Sequence, residues 1–128
     1  MPELIDNPTR IPVPGGKVID EYVGRVRTGT QTVSVARMSA PAGWDEPAQT
    51  PDFDEITLVL TGSVVVEHDG GETVVPAGQA IVTRAGERIR YRVGEDGAQY
   101  VAVCLPAFGP DLAHRDDDEA RPAALETT

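Results

Sequence analysis

The sequence predicts an all-β domain, a sandwich or barrel of short strands with little helix. From Val18 to Leu105 the apolar residues fall in short, valine-rich runs, which glycine, proline or aspartate interrupts every eight to twelve residues. Strands separated by turn residues at this interval are typical of sandwiches and barrels. No stretch of helical length carries an apolar stripe with a period of 3.6 residues, so we expect little helix.

Two segments give the strongest strand signals. In residues 88–93 arginine alternates with apolar residues, and successive side chains of a strand point to opposite faces, so Ile89, Tyr91 and Val93 should share the buried face. The dipeptide Asp69-Gly70 between two valine-rich runs is a strong hairpin signal. In chain order, we expect strands at residues 32–39, 56–60, 64–66, 73–75, 80–83, 88–93 and 99–105.

Length, charge and cysteine content restrict the class of protein. The 128 residues fit one domain, large enough to bury a core without disulfides. The formal charge of -10 would repel phosphate backbones and anionic lipids, so we expect no nucleic acid or membrane partner and a neutral or cationic small ligand. Cys104, the single cysteine, cannot form an intrachain disulfide, and no apolar run approaches the roughly 20 residues of a membrane span. We therefore expect a cytoplasmic protein without signal peptide or membrane anchor.

The chain divides into an N-terminal arm at residues 1–16, a barrel at residues 17–107 and an acidic C-terminal tail at residues 108–128. The arm holds four prolines, too many for a central strand, so we expect it along a sheet edge or across to a partner subunit. From Asp111 onward the tail carries six acidic residues against two arginines, and we expect its end to be solvated and mobile.

The spacing of glutamate and glycine in the strand region resembles the two motifs of the cupin superfamily. Glu55 precedes the turn residue Gly62 by seven positions, as in the first cupin motif, and Gly78 and Ile89 fall at spacings of the second. The resemblance covers roughly residues 30–106. It implies a double-stranded β-helix, a jelly-roll barrel of two antiparallel sheets.

The same resemblance implies that the metal-binding histidines have been replaced. Cupins that bind metal usually supply histidines at the positions that here read Gln49, Pro51 and Ile89. Proline and isoleucine have no donor atom, and a divalent transition metal needs three or four ligands, so Glu55 alone cannot hold one tightly. We therefore expect no metal and no other cofactor. The run Phe53-Asp54-Glu55-Ile56 is similar to that of the ethanolamine-utilisation (EutQ-like) cupins, which also lack the histidines.

In the cupin register, one carboxylate lies inside the barrel. Glu55, Thr57 and Val59 share the inward face of their strand, and Ile89 and Tyr91 face them from the opposite sheet. Desolvation raises the pKa of such a carboxylate toward neutrality, as a general acid or base requires. Glu55 and Tyr91 are therefore the candidate catalytic residues. The alternative is a structural glutamate, hydrogen-bonded to the backbone or to Tyr91.

Six residues are candidate ligand contacts. Gln49, at a lost ligand position, would hydrogen bond a ligand at the barrel mouth, Trp44 would cover the pocket and His114 would fold back over the mouth. A glutamine facing water and a tryptophan in ordinary loop packing are the alternatives. Cys104 has no histidine or lysine near it in sequence, which indicates a buried apolar residue rather than a nucleophile. The full set of candidate contacts is Trp44, Gln49, Phe53, Thr57, Ile89 and His114.

Three functions fit these residues. The first is a metal-independent isomerase, dehydratase or lyase, with Glu55 as the base and Tyr91 or Gln49 orienting an oxygen of the substrate. The second is a non-catalytic ligand-binding or accessory domain that holds a metabolite in the same pocket. A metal-dependent oxygenase ranks last, because Gln49, Asp52 or His114 would have to join the glutamate in a replacement site. For all three we expect a homodimer formed through the apolar outer face of the sheet, as is common among cupins.

Overall fold

The computed structural model describes residues 1–116, and the prediction for the end of the acidic tail lies outside them. All strand pairs are antiparallel, in the order β1-β2-β3-β7-β4-β5, and β6 also pairs with β4. This confirms the prediction of an all-β fold. No helix in the described residues could span a membrane. The elements are β1 Thr9–Ile11, β2 Val18–Val23, β3 Ser34–Ala40, β4 Asp54–His68, β5 Gly71–Pro76, β6 Ala80–Thr83, β7 Arg90–Leu105 and α1 Pro110–Ala113.

The long strands β4 and β7 belong to both layers of the barrel. The first half of β4 pairs with the second half of β7, and the second half of β4 pairs with the first half of β7. Their register shifts between Val59 and Thr61 and again between Gly62 and Val64, which marks bulges at a bend. Gly62 has a φ of 73°, and a Cβ there would overlap the carbonyl oxygen of Gly97. The bend turns one hydrogen-bonded sheet into two opposed layers.

The predicted strands are therefore placed correctly but were divided too finely. Residues 56–60 and 64–66 are parts of the single strand β4, and residues 90–93 and 99–105 are parts of β7. The glycines at the bend are typical of strand ends in a sequence, but the hydrogen-bonded ladder continues past them. The hairpin predicted at Asp69-Gly70 connects β4 to β5.

Strand β2 was not predicted, and it changes the composition of the barrel interior. Its centre is the acidic pair Asp20-Glu21, which hides the alternation of apolar and polar residues. Glu21 points inward and is buried, while Asp20 points outward and pairs with Arg10 of β1. Strand β1, in the proline-rich arm, pairs with β2 and lies at the edge of the sheet.

The hydrophobic core lies between the two layers. Ile89, Tyr91 and Val93 are buried, as their alternation with arginine predicted. Arg90 and Arg92 point outward to carboxylates on the same side of the sheet. The buried apolar residues of the core are Ala40, Val59, Val64, Val66, Val75, Ile89, Tyr91, Val93, Ala98 and Tyr100.

Residues 43–52 extend the layer that contains the first half of β7, although they form no regular strand. The amide of Gln49 donates to the Ile89 carbonyl at 2.8 Å, and the amide of Ile89 donates back to the Gln49 carbonyl at 2.9 Å. On its other side the segment hydrogen bonds to the backbone of residues 112–116. These contacts hold the side chains of Glu46 and Gln49 against the barrel interior.

Candidate functional site

The barrel contains a narrow cavity lined by alternate residues of its strands. The space open to the centres of water molecules is about 60 Å³. One water needs about 10–15 Å³ by this measure, so the cavity has room for about four to six waters. It therefore suits a ligand with few non-hydrogen atoms. The apolar part of its wall includes Ile19, Ala36, Met38, Phe53, Ala102 and Phe108.

Strand β4 places Glu55 in this cavity. The register of β4 sets Glu55 opposite Thr83 of β6 and Cys104 of β7. Glu55 is 9 % exposed, and Thr57 and Val59 on the same inward face are fully buried. The hydroxyl oxygen of Thr57 has no hydrogen-bond partner within residues 1–116. The inward face predicted for β4 is therefore the observed one.

The surroundings of Glu55 favour the protonated carboxyl. Burial raises the pKa of Glu55 to about 7, and the negative charge of Glu46 contributes to the rise. Lys17 and the nearby hydroxyls of Tyr91 and Thr57 act in the opposite direction, because they stabilise the carboxylate. A carboxyl that titrates near neutral pH can both accept and donate a proton.

Tyr91 lines the same cavity from β7. Its hydroxyl shares a hydrogen bond of 3.1 Å with the hydroxyl of Thr83, the residue that pairs with Glu55 across the sheet. Burial raises the pKa of Tyr91 well above its usual value, and the charge of Glu55 adds to this. The phenol therefore stays protonated at neutral pH and can act as a hydrogen-bond donor.

Lys17 provides a positive charge that the sequence analysis missed. The residue is half-buried, lies directly before β2 and lines the cavity. Its ammonium nitrogen is 4.1 Å from the ring centroid of Trp44 and 5.7 Å from that of Tyr100. Burial acts to lower the pKa of Lys17, but Tyr100, Glu46 and Glu55 outweigh this and raise it. The ammonium therefore stays charged at neutral pH.

Two further polar residues line the cavity beside the 43–52 segment. Gln49, at a position that the cupin resemblance singled out, is buried and pairs through the backbone with Arg115. Both side chains line the cavity, and the Arg115 Nε has no hydrogen-bond partner among the described residues. Phe108 and Arg115 lie in the segment 108–128 that was assigned to the acidic tail, and a role in the site was predicted for neither.

The other candidate residues lie around the cavity rather than in its wall. Thr57 and Ile89 are packed in the interior. Trp44 packs against the core and beneath the ammonium of Lys17. His114 lies at the surface, where its Nε2 is 2.7 Å from a carboxylate oxygen of Asp52. Direct contact of these four candidates with a ligand stays a prediction.

Cys104 belongs to the cavity wall as a neutral thiol. Burial raises the pKa of Cys104, and the charge of Glu55 acts in the same direction. The thiolate is the nucleophilic form of cysteine, so this environment suppresses its reactivity.

The residues at the cupin metal-ligand positions do not fit a metal ion. Gln49 lines the cavity, but Pro51 and Ile89 are buried and offer no donor atom. Asp52 and His114 pair with each other at the surface. Within residues 1–116 no three side chains of His, Cys, Asp or Glu come together in a cluster suited to a metal. The replacement site that an oxygenase would need is not formed by these residues.

Solved structures with a similar fold come from several classes of protein. Oxalate decarboxylase from Bacillus subtilis matches with a TM-score of 0.76 at 16% identity, over 97% of this chain and 36% of that chain. A variant of Streptomyces PAC13 with uridine matches at 0.69 and 18% identity, over 90% of this chain and 89% of that chain. The EutQ protein of Clostridium difficile matches at 0.57 and 20% identity, over 78% of each chain. At such low identity the likeness establishes the fold alone, and it confirms the resemblance to cupins.

One curated relative is similar in sequence over most of this chain. The endoribonuclease YbeY of Myxococcus xanthus (strain DK1622) is 46% identical over 112 residues, which cover 87% of this chain. This chain spans only 38% of the length of that protein. The AraC-binding-like domain family matches residues 8–124, nearly the whole sequence. The chain therefore belongs to the AraC-binding-like domain family and has the cupin fold.

Proposed function

We propose that the cavity binds a small organic molecule and that Glu55 transfers a proton on it without a metal ion, as in an isomerase, dehydratase or lyase. The observation that supports this proposal is the convergence of three groups on one narrow cavity. These groups are the buried carboxyl of Glu55, the ammonium of Lys17 and the phenol of Tyr91. A base beside two hydrogen-bond donors is the arrangement that proton abstraction next to a carbonyl group requires.

The three groups have different tasks in this reaction. The Glu55 carboxylate takes a proton from a carbon next to a carbonyl or carboxyl group, and the electron pair of the C–H bond moves toward the oxygen. Lys17 and Tyr91 stabilise the negative charge that develops on that oxygen. Protonated Glu55 then returns the proton to a neighbouring carbon in an isomerase, or to a departing hydroxide, released as water, in a dehydratase.

The cavity wall supports this chemistry by limiting access of water. Ala36, Met38 and Ala102 present apolar side chains to the cavity, and Phe53 is buried beside them. Interactions between charges are stronger in such surroundings than in bulk water. The same wall restricts the substrate to small molecules.

A second candidate function is a ligand-binding module without catalysis. The observation that favours it is the curated relative, an endoribonuclease in which the matching region is only 38% of the chain. A domain that forms a minor part of a longer enzyme would bind a metabolite and alter the activity of the enzyme domain beside it. Both functions use the same cavity, but only the first requires Glu55 to exchange a proton with the ligand.

Hydrogen exchange on the ligand separates the two functions. Three- and four-carbon ketones, amides, 2-oxo acids and 2-hydroxy acids are incubated with the protein in D₂O, and deuterium incorporation at carbon is followed by NMR. We expect the wild-type protein to catalyse exchange and Glu55→Gln to be about 100- to 10,000-fold slower, the usual contribution of a general base. Glu95→Gln is the control, because Glu95 is exposed on β7.

Two results would contradict proton transfer by Glu55. Exchange that persists at the wild-type rate in Glu55→Gln would mean that another group moves the proton. Ligands that bind without any exchange would favour the module.

We also propose that two copies associate through the outer face of the layer formed by β6, the first half of β4 and the second half of β7. On this face Leu58, Leu60, Val82 and Leu105 are 41%, 42%, 47% and 43% exposed. The strand register places Ile56 and Leu58 between apolar residues of β6 and β7, so the patch is continuous and its central positions carry no charge. Proteins of net charge -10 repel each other, and an uncharged apolar face is where two copies can approach closely.

A further inference from the structure

We propose that the cavity ligand is a small carboxylic acid, a two- to four-carbon 2-oxo or 2-hydroxy acid, whose carboxylate is bound by Lys17. This inference rests on the proposed binding function and specifies the class of ligand. It differs from what net charge predicts, because a protein of charge -10 favours neutral or cationic ligands. Inside the cavity, the ammonium of Lys17 favours an anionic ligand instead.

Lys17 is the only lysine of the chain, and within residues 1–116 its ammonium interacts with the side chain of Tyr100 rather than with a paired carboxylate. None of the ion pairs formed within residues 1–116 includes it. The ammonium instead lies on the face of the Trp44 ring, 4.1 Å from the centroid, with Tyr100 beside it. An aromatic face stabilises a cation without neutralising it. The ammonium can therefore form a charge-assisted hydrogen bond to a carboxylate oxygen.

The same placement argues against a cationic ligand. An amine would be attracted to an aromatic face near carboxylates, and in this cavity that position is beside Trp44, Glu46 and Glu55. Lys17 already occupies it, so a second cation would meet the ammonium at close range. An anion or a carbonyl oxygen complements the ammonium instead.

The other charged groups of the wall are three carboxylates and one further cation. Glu21 accepts hydrogen bonds of 2.9 Å from the amides of Val26 and Arg27, which stabilise its carboxylate without cancelling its charge. Glu46 and Glu55 line the cavity as well, and Glu55 is partly protonated at neutral pH. Arg115 adds a second cation on the side of Gln49. The preference for an anion therefore comes from the position of the Lys17 ammonium and not from the total charge of the wall.

The size of the cavity limits the acid to a few carbon atoms. Its volume of about 60 Å³ is open to the centres of water molecules, and about four to six waters would fill it. An acid such as lactate or pyruvate has a similar number of non-hydrogen atoms. Because Glu55 and Tyr91 line the same small cavity, an acid whose carboxylate is bound by Lys17 would present its second oxygen to these two residues.

A single lysine makes the inference directly testable. Protein labelled with ¹³C-lysine gives one Cε signal, from Lys17, which reports ligand contact without further assignment. Lactate, lactamide and 1-amino-2-propanol share a carbon skeleton and differ in charge, so they are titrated in parallel, with pyruvate as the 2-oxo acid. We expect both acids to shift the signal to saturation, lactamide to bind at least about tenfold more weakly and the amine not to bind.

Variants at Lys17 test the contact itself. Lys17→Met should weaken lactate binding about 10- to 100-fold in calorimetry, with little effect on lactamide, while Lys17→Arg retains most of the affinity for lactate. Equal losses for both ligands would indicate a structural effect of the substitution and would overturn the inference. Three other results would also overturn the inference. They are lactamide binding as tight as that of lactate, tighter binding of the amine than of lactate, and no response of the Lys17 signal to any acid.

Proton uptake provides a second readout. A carboxylate bound beside Glu55 disfavours its charged form, so we expect binding at pH 7 to take up a fraction of a proton, seen in calorimetry with two buffers of different ionisation enthalpy. Glu55→Gln should abolish the uptake, measured at lactate concentrations that saturate the Lys17 signal of the variant. If acids bind in this way but exchange no hydrogen, the ligand class holds and the proposed catalysis fails. If neutral ketones bind and exchange hydrogen while acids do not bind, the proposed catalysis holds and the inferred ligand class fails.

Discussion

Replacing Glu55 with glutamine should stabilise the protein at alkaline pH and have little effect at acid pH. Burial raises the pKa of Glu55 from the ordinary value of 4.5 to about 7. Between these two pH values the folded protein holds a proton that the unfolded chain has lost. The free energy of unfolding therefore falls as pH rises through this window, and the full penalty is present above the folded-state pKa.

The size of the effect follows from the difference between the two pKa values. The shift from 4.5 to about 7 corresponds to about 3 kcal/mol of unfolding free energy. Solvent screens this little, because Glu55 is only 9 % exposed. Glutamine has the shape of the protonated glutamic acid and no titrating group, so the variant lacks the penalty.

Urea unfolding at pH 5.5 and pH 9 measures the effect. Both pH values lie above the isoelectric point of about 4.5. They therefore avoid the pH at which the protein has no net charge and would precipitate. The difference in unfolding free energy between Glu55→Gln and wild type should grow by about 2 kcal/mol from the lower pH to the higher. Comparing the two proteins cancels the titration of all other groups, and Glu95→Gln should follow the wild type at both values.

Carboxyl-carbon NMR measures the same pKa without unfolding the protein. The Glu55 signal, assigned by its loss in Glu55→Gln, should titrate with a midpoint close to pH 7. A midpoint near 4.5, the ordinary value of a glutamate, together with a stability difference that does not change with pH, would refute the reasoning.

Three further predictions concern other parts of the molecule. Lys17→Met should raise the midpoint of the Glu55 titration, since Lys17 stabilises the carboxylate, and an unchanged midpoint would mean that the two charges do not interact. Leu58→Glu should be a monomer in size-exclusion chromatography with light scattering, whereas the wild type should be a dimer. Added salt should strengthen the wild-type dimer, because it screens the repulsion between two negatively charged copies. A wild type that is monomeric at micromolar concentration would contradict the proposed interface. Gly62→Ala should lower the melting temperature more than Gly78→Ala. Both glycines have a positive φ, but only Gly62 faces a backbone carbonyl, that of Gly97, at close range. Equal decreases in melting temperature would argue against this close approach of β4 and β7.

The parts of the fold that the sequence predicted are those with regular alternation. In residues 88–93 arginine and apolar residues alternate strictly, and Ile89, Tyr91 and Val93 are buried together. The length of a strand is harder to predict than its face. A glycine such as Gly62 is compatible with a turn or with a bulge, and the pairing of β4 with β7 distinguishes the two.

The candidate site was predicted where it lies on regular strands and missed where it depends on long-range pairing. Glu55 and Tyr91 reach the cavity because their strands alternate. Arg115 follows the last strand in an acidic stretch, and its sequence gives no sign that the backbone returns to pair with Gln49. Such a contact depends on residues far apart in the chain, which local patterns do not record.

Lys17 illustrates why comparison with family motifs identifies replaced functional residues more readily than new ones. The cupin motifs identify Gln49, Pro51 and Ile89 as the positions where the metal-binding histidines of other cupins are replaced. The motifs do not include the segment before β2, where Lys17 supplies a positive charge to the same interior. This interior therefore differs from the pattern of metal-binding cupins by a gained charge as well as by replaced ligands. Its carboxyl group titrates near neutral pH beside an ammonium group, and this pairing is what a small acid and a proton transfer would both use.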